Sequence, residues 1–297
     1  MVGTRKILSR RRAVSNICRL TRTMQIVSTA MFKSYYNRWL AVAEYHDALA
    51  QAGYLLVTSE TPLEHPLLKE NSSGRSAVLA ISSRAGLCGP YNAAIYKLLQ
   101  THLNLAKSSG RELDIHATAG RLGNILYSHG ITPTKFYSNL DEIPSDAQIH
   151  QIADDFIDRY IAGQLDYFGV LYMAFHSPGH QRAQIRTIMP LTELIDDLTT
   201  RAKVIWPWDQ VFEDFYMSPS PKDIIEGLAR MIIHATIKDC FLQAALCEHV
   251  ARMIAMRNAT KNAEDMIRDL TAQYNQARQT QITSELLDII SGTGVSR

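Results

Sequence analysis

The distribution of apolar and helix-breaking residues predicts a very long helix in the last quarter of the chain. The stretch 222–291 contains no proline and a single glycine, Gly227, and residues that favour helices are frequent throughout. Ser220 can cap the start of such a helix, and Gly292 suits its C-terminal stop. We predict one helix over 220–292. At ~1.5 Å of rise per residue it would span roughly 100 Å, which is more than an ordinary compact domain can bury.

The N-terminal stretch has the same helical character. From Thr4 to Ala52 there is neither glycine nor proline, so we predict a second long helix over 1–58. Apolar residues recur there with spacings of three and four, at Ile17, Leu20, Met24, Val27 and Met31. A narrow stripe of this kind is typical of a helix that packs along one partner helix.

A matching apolar stripe runs along the C-terminal stretch. It consists of Met253, Met256, Thr260, Ala263, Ile267, Leu270, Tyr274 and Ala277. We therefore predict that the two terminal helices pair as a long antiparallel coiled coil. The predicted seam contains Leu20 and Val27 from the first helix, and Met256, Ile267, Leu270 and Tyr274 from the second. The alternative is that each helix packs separately on a globular body, although such lengths extend beyond any body of this size.

The interior of the chain, 76–193, has a different pattern. Short apolar runs of strand length alternate there with helical stretches and with turns that contain glycine. The predicted strands are 77–82, 113–118, 167–175 and 183–189, and the predicted helices are 91–107, the stretch after Gly120, and 146–162. This alternation predicts a small, mainly parallel, Rossmann-like α/β domain inserted between the two long helices. Segments 59–75 and 199–219 are predicted to be the connecting loops.

Composition sets limits on the partners of the chain. The 297 residues carry a formal net charge of +2, so the overall charge gives no argument for nucleic acid. The first acidic residue is Glu44, however, and nine lysines and arginines precede it. Such a basic helix is suited to nucleic acid or acidic lipid, or to an acidic protein surface, and its residues leave these uses open. An acid-free start is also found in transit peptides, but here the helical stripe continues past any cleavage point.

Two further features of the composition bear on location. No apolar run approaches the ~18 to 20 residues that are needed to cross a bilayer. The four cysteines show no CxxC spacing and no paired pattern, which favours reduced thiols in a cytosolic compartment. We therefore expect a protein that is not integral to a membrane and has no disulfides.

The motifs that could carry chemistry are weak. The segment 81–92 resembles a phosphate-binding turn, but it lacks both the GxGxxG and the GxxxxGK[ST] pattern, so we interpret its glycines as a tight turn. His176 and His180 flank another turn, and the neighbouring sequence offers no further metal ligands. Cys88, just ahead of a predicted helix, is the only plausible nucleophile, and no base can be assigned to it.

Three segments of the chain resemble one known family, the gamma subunit of F-type ATP synthases. Residues 16–27, NICRLTRTMQIV, are similar to the family's pattern VKNTxKITKAMxMV, and the GLCG of 86–89 is similar to its SDRGLCGGFN loop. The most specific resemblance lies in ARMIAMRNATKNA, 251–263, and YNQARQTQITSELLDIISG, 274–292. The chain departs from the loop pattern at Arg84, Ala85 and Pro90, which suggests a divergent branch of the family.

The resemblance implies a mechanical protein rather than an enzyme. In this family the paired terminal helices form a shaft within a ring of catalytic and non-catalytic head subunits, and the α/β domain lies near the epsilon subunit and the membrane rotor ring. These subunits are therefore the expected partners, with no nucleic acid among them. No cofactor, metal or catalytic residue is expected. The expected location is peripheral, on the cytoplasmic face of a bacterial inner membrane, and either protons or sodium ions are coupled.

The resemblance also assigns positions that contact the head subunits. By similarity these are Arg22, Met24, Arg252, Gln279, Thr283 and Glu285. Arg22 would be attracted to an acidic loop of the catalytic subunit, and Met24 would adapt its shape to that loop. We expect Arg252 and Glu285 to be exposed on the free subunit. The alternative functions are a small α/β nucleotide-dependent enzyme with helical arms, and a nucleic-acid-binding protein that uses the basic helix.

Overall fold

A computed structural model of the chain describes residues 2–57, 65–118, 120–192, 194–195, 200 and 221–294. Its helices are α1 (Val2–Val57), α2 (Tyr91–Ser108), α3 (Arg121–Ser128), α4 (Asp146–Ile161) and α5 (Pro221–Gly294), with a short 3-10 helix at Pro66–Leu68. Its strands are β1 (Arg75–Ala80), β2 (Glu112–Thr118), β3 (Lys135–Tyr137), β4 (Tyr167–Ser177) and β5 (His180–Met189). Of the predicted connecting loops, 59–64 and nearly all of 199–219 lie outside the described residues.

The two long predicted helices are confirmed, since α1 and α5 each end within two residues of their predicted limits. The chain divides into two compact units, one formed by 1–30 with 252–297 and the other by 31–251. Both boundaries fall inside a long helix, so the predicted division into 1–58, 76–193 and 220–292 stays a proposal.

In the first unit α1 and α5 run antiparallel and meet through small side chains. The Thr260 hydroxyl donates a hydrogen bond to the Thr21 hydroxyl at 2.7 Å, and Thr21 donates to the carbonyl oxygen of Cys18 at 3.1 Å. Farther from this pair, the Arg11 guanidinium lies over the Tyr274 ring, 5.7 Å from its centre. From the first contact to the second, the residue number decreases along α1, from 21 to 11, and increases along α5, from 260 to 274. The two helices therefore point in opposite directions.

The buried face of α1 differs from the stripe that we predicted. Leu20 and Val27 are 60% and 56% exposed, so both predicted seam positions on α1 are wrong. The buried residues instead lie one position away, at Val14, Cys18, Thr21 and Ser28. The reason is steric and local, because around the bonded pair of Thr21 and Thr260 the two helices lie so close that small side chains fit between them. Leu20 and Val27, at the adjoining positions of α1, face outward.

The α5 positions of the predicted seam lie on the face that packs against α1. Met256 and Leu270 are buried, and Leu270 belongs to an apolar cluster with Val14, Cys18 and Ala263. Ile267 packs against the same cluster and, like Tyr274, is partly buried.

In the second unit a five-stranded sheet has the order β3-β2-β1-β4-β5. The first four strands are parallel, and β5 pairs antiparallel with β4 at the edge. The central strand β1 is buried over five of its six residues, which explains why its sequence is a continuous apolar run. Strand β3 was not predicted, because three residues are too few to show a periodic pattern. The mainly parallel α/β sheet is thus confirmed.

His116 on β2 makes the stability of this unit sensitive to pH. Its ring is buried and lies 4.8 Å from that of Phe156, edge to face. Burial, and secondarily the positive charge of Arg159, lowers the pKa of His116 to about 4. In the unfolded chain the imidazole pKa is ~6.5, so between about pH 4 and pH 6.5 the unfolded chain binds more protons than the folded chain. The free energy of unfolding is therefore highest above this range and decreases as the pH falls through it.

We expect His116→Leu to reduce the loss of stability between pH 7 and pH 5 by about 1 to 2 kcal/mol. Denaturant unfolding of the full chain at both pH values measures this difference. His129→Gln, at an exposed histidine, is the matched control and should keep the full pH dependence. A pH dependence in His116→Leu as steep as in the control would contradict the assignment.

Candidate functional site

In the described part of the first unit, nine large apolar side chains are exposed on the two helices. They are Ile17, Leu20, Ile26 and Val27 on α1, and Ile254, Met266, Ile282, Leu286 and Leu287 on α5. All of them are at least 40% exposed, although residues of these types are usually buried. Four of them lie within 17–27 of α1 and three within 282–287 of α5, and exposed apolar residues that are concentrated in this way are typical of surfaces that contact a partner. We call these nine residues the outer apolar surface.

Polar residues predicted to contact the head lie among this surface near the end of α5. Gln279, Thr283 and Glu285 are all exposed. The Thr283 hydroxyl donates to the carbonyl oxygen of Gln279 at 3.0 Å, and the Glu285 carboxylate accepts from the Gln281 amide at 2.8 Å. These bonds lie within one helix and in contact with water, so they leave the side chains accessible to a partner.

Arg22 lies on α1 and bonds across the helix pair. Its guanidinium lies 2.5 Å from the Glu264 carboxylate, and the two side chains are 64% and 46% exposed. An exposed ion pair of this kind contributes little to stability, so a stronger acidic partner can compete for Arg22. Met24, two residues further on, is partly buried.

Arg252 does not lie where we expected. Its side chain is buried rather than exposed on the free chain, with an exposed fraction of 6%. The spacing explains this, because Arg252 precedes Met256 and Thr260 by four and eight residues and so shares their buried face. Replacing Arg252 would therefore disturb internal packing as well as any contact with a partner.

The second unit contains the crevice in which doubly wound sheets bind ligands, at the carboxyl ends of the parallel strands. Here α5 fills it. The crevice lies between the ends of β1 and β2 and the α5 residues Phe241, Ala244, Ala245 and Glu248. The remaining cavity of about 40 Å³ holds little more than water. Small-molecule sites usually have volumes of ~300 Å³ or more, so this crevice is closed to a nucleotide.

The turn that resembles a phosphate-binding loop is bonded to the protein itself. The backbone N–H groups of Arg84 and Ala85 donate to the Glu248 carboxylate at 2.9 and 3.2 Å, and that of Ser83 donates to the Asn92 side-chain oxygen at 3.1 Å. In a phosphate site such N–H groups face the ligand. Because an internal carboxylate takes the place of the anion, the tight-turn interpretation agrees with this geometry.

Glu248 was missed in the sequence, although a signal exists. It is a single acidic residue in the run AALCEHVA, 244–251, which is otherwise almost free of charge. A lone carboxylate within an apolar helical segment predicts a buried partner, but the sequence does not say which one, since the loop that it binds lies more than 160 residues away.

The other candidate motifs offer no reactive group at the surface or metal site in the described residues. Cys88 is buried, with its sulfur 3.8 Å from the carbonyl oxygen of Ala85. The rings of His176 and His180 lie 5.2 Å apart, and the described part of the chain contains no cluster of three or more residues suited to a metal. Within the same residues, no helix is long and apolar enough to cross a membrane.

These features define a class of protein. A helix pair with an outer apolar surface, joined to an α/β domain whose ligand crevice is filled by one of those helices, belongs to proteins that act by binding other subunits.

Comparison with known proteins identifies the family. A family model described as ATP synthase matches residues 3–294. The ATP synthase gamma chain of Rhodopirellula baltica is 32% identical over 293 residues, which cover 98% of each chain. That of Leptospira biflexa is 28% identical over 295 residues, again with 98% of each chain covered. The chain belongs to the ATP synthase gamma chain family, and it is a non-catalytic central-stalk subunit rather than a nucleotide-dependent enzyme.

Solved structures show the same fold. A chain in the cryo-EM structure of Euglena gracilis mitochondrial ATP synthase, OSCP/F1/c-ring, rotational state 3, matches with a TM-score of 0.66 at 16% identity, covering 98% of this chain and 94% of that chain. A chain of the rotor in rotational state 1 matches with a TM-score of 0.62 at 15% identity, covering 94% and 98%. Similarity at this level of identity extends the family's fold to this chain.

Proposed function

We propose that this chain is the rotor of an F-type ATP synthase, which turns inside the catalytic head and couples transmembrane ion flow to the synthesis or hydrolysis of ATP. The observation that carries the proposal is the outer apolar surface. A surface that must move past a surrounding ring is best made of aliphatic groups, because their contacts have no preferred direction and can be exchanged at little cost.

Rotation also needs angles at which the rotor pauses. Directional polar contacts supply them, and we propose Gln279, Thr283 and Glu285 at the end of α5, Arg22 on α1 and Arg252 for this role. Met24 is proposed to make an adaptable apolar contact with the head beside Arg22. Because the polar groups on α1 and α5 differ, the rotor presents a different side to each catalytic site. A subunit shifts the conformations of its partners only through such differential binding.

The proposed partners are the catalytic and non-catalytic head subunits, the epsilon subunit and the membrane rotor ring. The similar chains reported above come from structures of the rotor and of the OSCP/F1/c-ring assembly of a mitochondrial ATP synthase. The relatives from Rhodopirellula baltica and Leptospira biflexa are bacterial chains. We therefore propose a location on the cytoplasmic face of a bacterial cell membrane, reached through the complex.

We further propose that the helix pair is wound as a coiled coil. In α1 the buried positions Val14, Thr21 and Ser28 are seven residues apart, with Cys18 between the first two. A repeat of seven residues keeps the seam facing its partner only when the helices supercoil. The polar pair of Thr21 and Thr260 within the seam would fix the register of the two helices.

The outer apolar surface leads to a prediction about activity. Leu20→Asp places a charge on an exposed position, so the isolated chain should fold as before. In the assembled complex the same charge would lie against the head without a partner, and we expect ATP turnover to fall about tenfold, the effect of ~1.4 kcal/mol. Turnover is measured on the complex of this chain with its head subunits, with Lys33→Gln as a control at an exposed polar position. Equal turnover in both variants would count against contact at Leu20.

Reconstitution tests the proposed function as a whole. Head subunits assembled with and without the chain are added to vesicles that contain the membrane sector, and ATP hydrolysis and ion uptake are both measured. We expect ion uptake only with the chain present. If heads that lack the chain drive the same ion uptake for each ATP hydrolysed, the chain is not the coupling rotor.

A further inference from the structure

We propose that buried polar residues of α5 form a torsional lock that fixes the angle of the α/β sheet on this helix, with Glu248 as its central positioning residue. The lock is defined by four α5 residues: Asp239, Gln243, Glu248 and His249. The inference rests on the proposed function, because a rotor that is driven through its α/β domain must pass torque to its helix without slipping.

Glu248 joins α5 to the loop that follows β1. Its carboxylate accepts from the N–H groups of two successive residues, Arg84 and Ala85, one on each oxygen. Glu248 is itself only 3% exposed. Breaking either of these bonds in a buried place costs the desolvation free energy of the polar groups that it leaves unbonded. This contact therefore resists displacement more than an exposed ion pair would.

The next residue, His249, joins α5 to a second loop and to α1. Its Nε2 lies 2.7 Å from one carboxylate oxygen of Glu142, and the Tyr35 hydroxyl of α1 donates to the other at 2.8 Å. The Tyr35 and His249 rings stack with centres 5.3 Å apart. Burial, and next the bond to Glu142, raises the pKa of Tyr35, so its hydroxyl remains a donor at every physiological pH.

Between Asp239 and Gln243, α5 makes polar contacts with the antiparallel strands β4 and β5 of the sheet. The Gln243 side-chain oxygen accepts from the backbone N–H of Phe175 on β4 at 3.2 Å, and its amide donates to the Asp239 carboxylate at 2.7 Å. The same carboxylate lies 3.4 Å from the guanidinium of Arg186 on β5. The lock thus holds three separate parts of the α/β domain.

The positions of these residues around the helix axis show what they resist. Each residue of an α-helix turns by ~100° about the axis. Measured around the axis from Asp239, Gln243 therefore lies at about 40°, Glu248 at about 180° and His249 at about 280°. Every residue from 240 to 250 is buried, so the bonds surround a helix segment that is enclosed on all sides. Apolar packing alone has no directional preference. Bonds on opposite sides mean that α5 cannot twist against the domain without breaking at least one buried hydrogen bond.

The test uses the complete ATP synthase with Glu248→Gln, which keeps the size of the side chain but sets an amide against one N–H donor. An optical probe is attached to the α/β domain through Ser108→Cys, an exposed position on α2, while the head is fixed to a surface. Within this chain the probe reacts selectively because its four native cysteines are buried. Two quantities are measured: the angular spread of the paused probe, and the ions pumped for each ATP hydrolysed against an opposing gradient.

We expect Glu248→Gln to widen the angular spread about twofold and to lower the pumping ratio by a similar factor, with unloaded ATP hydrolysis nearly unchanged. Lys238→Gln is the matched control. Lys238 also joins α5 to the α/β domain, through Asp146 of α4, but that pair is exposed and should matter little. A loss of stability alone would lower the amount of complex without widening the spread in the complexes that remain.

A second variant covers the case in which Glu248→Gln does not assemble. Tyr35→Phe removes only the hydroxyl that bonds Glu142, and we expect a smaller change in the same direction. An angular spread and a pumping ratio equal to those of Lys238→Gln in every variant that assembles would overturn the lock. If the unaltered complex neither rotates nor pumps, the proposed function fails instead, so the two failures are distinguishable.

Discussion

Replacing Leu270 by aspartate is expected to destabilise the helix pair of the first unit by about 3 to 5 kcal/mol. Leu270 is 5% exposed and packs with Val14, Cys18 and Ala263. The substitution removes this apolar contact and places a carboxylate among apolar groups. Part of the cost is avoided if the aspartate takes up a proton, in which case the loss of stability becomes larger as the pH rises.

Leu20→Asp is the matched control for this prediction. It makes the same chemical change on the partner helix, but at an exposed position, where surface substitutions change stability by ~0.5 kcal/mol or less. Denaturant unfolding of the full chain, followed by the circular dichroism of its helices, measures both variants. If Leu270→Asp were no less stable than Leu20→Asp, the seam described above would be contradicted.

Gly120→Ala is expected to cost about 3 kcal/mol or more, for a steric reason in the second unit. A Cβ atom at this position would lie 2.2 Å from the backbone carbonyl oxygen of Ser83, and Gly120 has a φ of 150°, which side chains rarely adopt. The clash is with backbone, so a side-chain rotation cannot relieve it. The loop after β1 would have to shift, and this loop carries the two N–H groups that bind Glu248.

Gly130→Ala separates this clash from the general effect of losing a glycine. Gly130 also has a positive φ, of 70°, but open space surrounds the position where its Cβ would be. We expect a cost of about 1 to 2 kcal/mol there. Thermal unfolding of the chain with each variant provides the comparison. If Gly120→Ala were no less stable than Gly130→Ala, the close approach of Gly120 to Ser83 would be contradicted.

Most of the fold could be predicted from local patterns. The lengths of α1 and α5 follow from the absence of proline and glycine, and β1 and β4 follow from continuous apolar runs. The buried face of α5 was located because Met256, Ala263 and Leu270 are apolar or small at regular spacing. These properties depend on residues close together in the chain, which is why the sequence reveals them.

The seam on α1 could not be predicted, because hydrophobicity favoured the wrong face. Leu20 and Val27 form the more apolar stripe, whereas the buried stripe includes Thr21 and Ser28. Which of the two stripes is buried depends on how closely α5 approaches α1. That distance is a property of the tertiary structure and is not contained in the local pattern. Leu20 and Val27 instead belong to the outer apolar surface, which we propose binds the head subunits.

The sequence also could not predict that α5 fills the crevice at the carboxyl ends of β1 and β2. Glu248 and the loop that it binds are far apart in the chain, and nothing in either segment specifies the other. Which residues contact the head subunits stays a prediction, since a single chain contains no partner. Of the six residues predicted to contact the head, Arg22, Gln279, Thr283 and Glu285 have the exposure that contact requires, while Met24 is partly buried and Arg252 is buried.

Direct observation of rotation tests the central claim, that this chain turns within the head. With the head fixed to a surface and the probe attached at Ser108→Cys, ATP is added and the angle of the probe is followed in single complexes. We predict stepwise rotation in one direction that stops when ATP is removed. A probe that keeps a fixed angle while the same complexes hydrolyse ATP would contradict the account.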